Sequence, residues 1–199
     1  MKNLKKQKGF ALPVSLMLLV VMTLMGVALV SMTSSDMSSN NDRDNSSQAF
    51  YAAESGISMA KDWLTKQNTY QPGSNPDGQL RFCKTSLFPT LRPGAARALK
   101  DASGRNHVGK YNLSQLISSS GKEATRLAKF SFEYFITLTP DRNGFTNNEQ
   151  KNPQGFVYYT IYSCGCDGST STCSSTNNNI SAIEAVVTIR WWKNIYLLV

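Results

Sequence analysis

An α+β fold is predicted for this 199-residue chain: a long N-terminal α-helix packed on an antiparallel sheet of at least three strands. Three observations predict it. Phe10 to Val30 is an apolar run without a charge. Phe50, Ala53, Ile57, Ala60 and Leu64 then recur at spacings of three and four, which is one face of a helix. Three later segments alternate apolar and polar residues with the period of a strand. A sheet built from them needs a cover on one face, and the helical stripe otherwise has no partner.

The apolar run comes first. Its 21 residues, as a helix, span roughly 31 Å, the thickness of a bilayer core. A secretory signal has a shorter apolar region ending in a small-residue cleavage site, and Ala28-Leu29-Val30-Ser31 matches that poorly. Lys2, Lys5, Lys6 and Lys8 precede the run, and no further lysine or arginine occurs before Arg43. The positive-inside rule therefore puts the N-terminus in the cytoplasm and the rest of the chain outside. Pro13 falls in the first turn, where a missing N–H costs little.

The helix is expected to continue past the membrane. Between Met32 and Gln67 there is no proline, and Gly56 is the one glycine. Ala49, Ala52, Met59 and Trp63 widen the apolar stripe, and the turn formers from Gln71 to Gly78 end it. A continuous helix from Phe10 to about Lys66 is roughly 85 Å long. Its weak stretch is Ser38 to Asn45, whose residues have low helix propensity.

The strands are read at Lys129–Thr139, Phe156–Ser163 and Ile183–Trp192. In the first, Phe130, Phe132, Tyr134, Ile136 and Leu138 share a face. Val157, Tyr159 and Ile161 share one in the second, and Ala185, Val187, Ile189 and Trp191 in the third. Connections at Pro140–Gly155 and Gly165–Ser181 suggest an antiparallel meander with one face covered. Asp141 to Glu149 is oxygen-rich but lacks EF-hand spacing and reads as a turn. Residues 68–128 show only short elements, such as Ala95–Asp101 and Leu113–Leu116.

Charge and cysteines bound the rest. The formal net charge is +8, but residues 1–9 hold four lysines and no acid, so the chain after Gly9 carries +4. Residues 81–129 contain ten Lys/Arg against Asp101 and Glu123. That segment suits an anionic surface, nucleic acid or acidic neighbours, without the interleaved aromatics of a single-strand groove. Cys83, Cys164, Cys166 and Cys173 all fall on the exported side, where two disulfides are expected. A Cys164–Cys166 ring is very short, leaving Cys83 paired with either Cys164 or Cys166 and Cys173 with the other. A zinc site is disfavoured by the spacing, by the single histidine His107 and by the compartment.

Two stretches resemble a known family. The short basic leader, Gly9 and the aromatic Phe10 opening an apolar helix resemble the N-terminal signal of type IV pilins and pseudopilins. The second stretch, Gln48-Ala49-Phe50-Tyr51-Ala52-Ala53-Glu54-Ser55-Gly56-Ile57, is similar to PilX-type minor pilins. The resemblance implies a pilin-like fold divided into a leader at 1–9, a transmembrane and filament-core helix at 10–30, its amphipathic continuation at 31–67 and a globular domain at 68–199. It implies cleavage after Gly9 by a prepilin peptidase and N-methylation of Phe10. Implied partners are the major pilin, other minor pilins, the inner membrane and its assembly machinery. A contact with host surfaces or nucleic acid is not supported by any motif.

One departure from the family pattern is informative. Most major pilins carry a glutamate four residues after the first mature residue, and here that position is Val14, with no acid before Asp36. A carboxylate in an apolar bundle is costly unless paired, so it aligns one subunit on the next. Its absence fits a subunit at the tip or in the initiating complex of a type IV pilus. It also fits a K-like pseudopilin of type II secretion, although that class usually carries a larger inserted domain. A non-polymerising, membrane-anchored periplasmic protein is the reading outside the family. No nucleophile motif, phosphate loop or metal triad is present, so the expected role is structural, without an enzyme activity or cofactor.

Overall fold

The computed structural model describes residues 11–67, 71–91, 96–116, 120–139, 156–174 and 179–190. Gly9, Phe10, the loop from Asp141 to Glu149 and the strand positions Trp191 and Trp192 lie outside them. The chain divides into two compact units, the first reaching Asp44 and the second beginning at Asn45. Helix α1, Ala11–Lys66, starts in one and ends in the other.

In the first unit, Leu12 to Val30 are exposed on every side of α1. The helix is long and apolar enough to cross a membrane, with a mean hydropathy of 2.5 over its best window. Its hydroxyls suit that setting. Ser15 donates to the Leu12 carbonyl at 2.9 Å, Thr23 to Val20 at 2.8 Å and Thr33 to Leu29 at 2.8 Å. Each of these three hydroxyls is satisfied within the helix, as a hydrocarbon setting would require.

The second unit is built on a four-stranded antiparallel meander in the order β1-β2-β3-β4: Val108–Asn112, Ser131–Leu138, Phe156–Cys166 and Ile180–Arg190. Three strands follow the sequence periodicity. The fourth, β1, was not among the expected elements, because Gly109 interrupts its pattern. The Tyr134 ring lies where a Cβ of Gly109 would be, so a neighbouring strand's aromatic supplies the missing bulk. Two short helices, α2 at Leu113–Leu116 and α3 at Lys122–Leu127, close the β1–β2 connection.

The expected single covered face is corrected by the structure, since every residue of β2 is buried. Phe132, Tyr134, Ile136, Tyr159 and Ile161 pack with Ala52, Ala60 and Leu64 of α1 on one face. On the other, Phe135, Tyr162, Cys164 and Cys166 pack under Leu80, Phe82, Phe88 and Leu91. This second layer has almost no regular structure. Two short 3-10 turns, Pro76–Gly78 and Thr85–Leu87, occur in it, the first capped by the Asn75 side chain on the Asp77 N–H at 2.8 Å. Just ahead of β1 the segment returns to the sheet, where Leu99 N–H donates to Ile136 at 2.8 Å and His107 N–H to Leu99 at 2.7 Å.

Candidate functional site

The helical motif at Gln48–Gly56 is a contact surface made of small residues. Ala49, Ala52, Ala53 and Ala60 are completely buried, and Gly56 is buried among them. A Cβ on Gly56 would overlap the Ser163 hydroxyl and approach Phe132 to 3.0 Å. The sheet answers with a glycine of its own. A Cβ on Gly165 would overlap the Ala49 carbonyl oxygen and lie 2.6 Å from the Ala53 nitrogen. Helix backbone and strand backbone thus meet with no side chain between them. Ser163 exploits that approach by donating to the Ala53 carbonyl at 2.7 Å, a bond that α-helical pairing leaves room for on the carbonyl's second lone pair.

This arrangement corrects the centre of the stripe. Phe50, placed on the apolar face by its spacing, is 42% exposed, and Tyr51 is 57% exposed. Their rings meet edge to face at 6.2 Å on the outer side of the helix. Gln48 is half-buried and Glu54 exposed. Val14 is 49% exposed, and the first turn of α1 contains no acid.

Both disulfides are anchored on β3, on the face opposite the helix. Cys83 is joined to Cys164, and Cys166 to Cys173. Cys166 belongs to the strand rather than to the loop expected from Gly165 onward, and Cys164 and Cys166 pair with Ala182 and Ile180. Their alternation turns both sulfurs to the second layer and Gly165 to α1. All four cysteines are engaged in disulfides.

Beside Cys164, its cross-strand neighbour Glu133 was not singled out by sequence reasoning. It is 1% exposed and accepts the N–H groups of three successive residues. Arg81 donates to Oε2 at 2.9 Å, Phe82 at 3.0 Å and Cys83 at 3.1 Å. A carboxylate is the side chain able to accept several donors in this way, so a lone acid between aromatic positions of a strand was the available signal. Glu133 and the Cys83–Cys164 bond together fasten the second layer to the sheet.

His107 occupies the opposite end of the helix contact. Its ring stacks on Trp63 of α1 with centroids 3.8 Å apart, and Nε2 lies 3.2 Å from the Tyr134 hydroxyl. Burial lowers its pKa from the ordinary 6.5 to about 4, against the attraction of Asp101. The Asp101 carboxyl is held below its usual range, first by the Ser103 hydroxyl and then by the Arg105 N–H. Tyr134 is pushed up by burial, and Tyr162 to about 12 by burial and then Glu184. Of the basic segment, Arg81, Arg97, Arg105, Lys110, Lys122, Arg126 and Lys129 are exposed. The ion pairs Asp62–Lys66 and Glu123–Arg126 are exposed and local, and add little stability.

A model of the family described as PilX N-terminal matches residues 8–58. The matched span includes Gly9, Phe10, Val14 and the whole Gln48–Gly56 motif. No curated protein and no solved structure matches the chain.

Proposed function

With residues 8–58 identified as a PilX-type N-terminal region, we propose that the chain is a minor pilin of type IV pilus assembly, acting at the tip or in the initiating complex. The observation that carries the reading is the helix itself. A PilX-type helix whose first half exposes apolar side chains all round supports membrane storage followed by packing against other subunits' helices. In this reading Gly9 is the last leader residue, Phe10 is N-methylated, and the N-terminus faces the cytoplasm. The sheet domain then lies in the periplasm and later on the cell surface. The proposed partners are the major pilin, other minor pilins, the prepilin peptidase and the assembly machinery, and no catalytic step is required of the chain.

Val14 supports the tip position. A subunit without a carboxylate there offers no counter-charge to the N-terminal amine of a neighbour. Mass spectrometry of the mature protein tests the family-level role, with a methylated Phe10 expected and an intact Met1 overturning it. Val14→Glu tests the position: the variant is expected in the shaft of sheared pili more often than wild type. Equal abundance, with the variant processed normally, removes the tip argument.

A further inference from the structure

Four of the small residues in the Gln48–Gly56 motif are accounted for by the contact with the sheet, whereas Glu54 is not. It lies on the outer side of α1 and has no hydrogen bond or ion pair among the described residues. It lines a groove of about 540 Å³ between α1 and α2, together with Tyr51, Ser58, Met59, Asp62 and Leu116. Met59 and Leu116 give that groove apolar surface, and Tyr51 contributes an exposed ring.

We propose that this groove docks an arginine or lysine side chain of a neighbouring pilin subunit. Tyr51 and Glu54 are three residues apart, so their side chains are neighbours on the helix surface. A cation seated there meets an aromatic face and an unpaired carboxylate at once. Asp62 adds a second negative group, which Lys66 already holds at 2.6 Å, leaving Glu54 as the free counter-charge. An acidic or neutral partner would cover Glu54 without replacing its lost hydration, so the charge selects the occupant. The neighbouring aromatic pair Phe50–Tyr51 extends the surface in the composition typical of interfaces.

The inference rests on the pilin reading, and the test separates the two. A photo-crosslinking amino acid is placed at Ser58 in the full chain, expressed in cells with its pilus genes. Crosslinks are mapped by mass spectrometry, and the mature N-terminus is read from the same sample. The expected adduct is with a pilin subunit, at a peptide bearing arginine or lysine. Glu54→Arg should cut its yield at least tenfold while Glu54→Asp retains it, with leader removal and both disulfides unchanged. An adduct insensitive to Glu54→Arg, or mapped to a peptide without a basic residue, overturns the docking site even when Phe10 is methylated. An uncleaved N-terminus overturns the pilin reading itself.

Discussion

Ser163 on β3 donates its hydroxyl to the carbonyl of Ala53 on α1 at 2.7 Å, across a contact that Gly56 and Gly165 keep free of side chains. A helix and a strand held this closely leave no slack for a methyl group. Gly165→Ala should therefore destabilise the chain by about 1–3 kcal/mol or more, because its Cβ meets backbone rather than a flexible side chain. Gly56→Ala should cost less, since the first atom it meets is a hydroxyl that can rotate away. Urea unfolding of the detergent-solubilised chain, followed by far-UV circular dichroism, checks the order. Equal midpoints for Gly165→Ala and wild type would remove the close-approach argument.

Glu133 makes a second, independent prediction. Glu133→Ala strands three buried N–H groups and is expected to cost about 3–5 kcal/mol, while Glu133→Gln, which keeps one accepting oxygen, should cost about 2. Limited proteolysis gives the readout. Cleavage between Gln71 and Leu91 should rise in both variants before any cleavage inside β2 or β3.

The two disulfides are expected to differ in weight. Cys83–Cys164 closes a separation of 81 residues and Cys166–Cys173 one of 7, so the chain-entropy model assigns them about 4.5 and about 2.4 kcal/mol. Paired Cys→Ser replacements, compared by denaturant midpoint, test the ranking. A larger loss from the short ring would show that local geometry outweighs loop closure.

His107 predicts a pH dependence. Its pKa falls from the unfolded value of 6.5 to about 4 on folding, so between these values the unfolded chain binds more protons. Stability should then rise with pH across that window and be lost as pH falls from about 6.5 towards 4. Asp101, with a lowered pKa, acts in the same direction at more acidic pH. A melting-temperature profile of His107→Gln should be flatter above pH 4 and unchanged in shape below it. An identical slope in wild type and variant would mean that the buried imidazole does not titrate with unfolding.

Large apolar side chains made the three long strands and the helix legible, because each buries a face and so imposes a period on the sequence. The exceptions are physical. A helical wheel weights Phe50 as core, but a helix that rests on backbone selects Ala49, Ala52 and Gly56 and leaves the big ring outside. Strand β1 is hidden by Gly109, whose bulk is supplied by Tyr134 from the next strand. The second layer has no period, since its apolar side chains come from irregular chain fastened by backbone donors on Glu133 and by the Cys83–Cys164 bond. The polar stretch after Gly165 reads as a loop, yet its first residues continue β3 into register with β4. The helical motif was legible as a motif, and its meaning as a glycine-to-sheet contact emerged only with the packing.

The connectivity of the cysteines also sets an order of events. In the proposed topology the N-terminus stays in the cytoplasm. The segment after the apolar helix is delivered outward in chain order, so Cys83 arrives first, then Cys164, Cys166 and Cys173 in turn. Joining each waiting thiol to the next arrival yields Cys83–Cys164 and then Cys166–Cys173, which is the native set. In that topology, oxidation in step with delivery would lead to the pairing the structure has, Cys83–Cys164 and Cys166–Cys173.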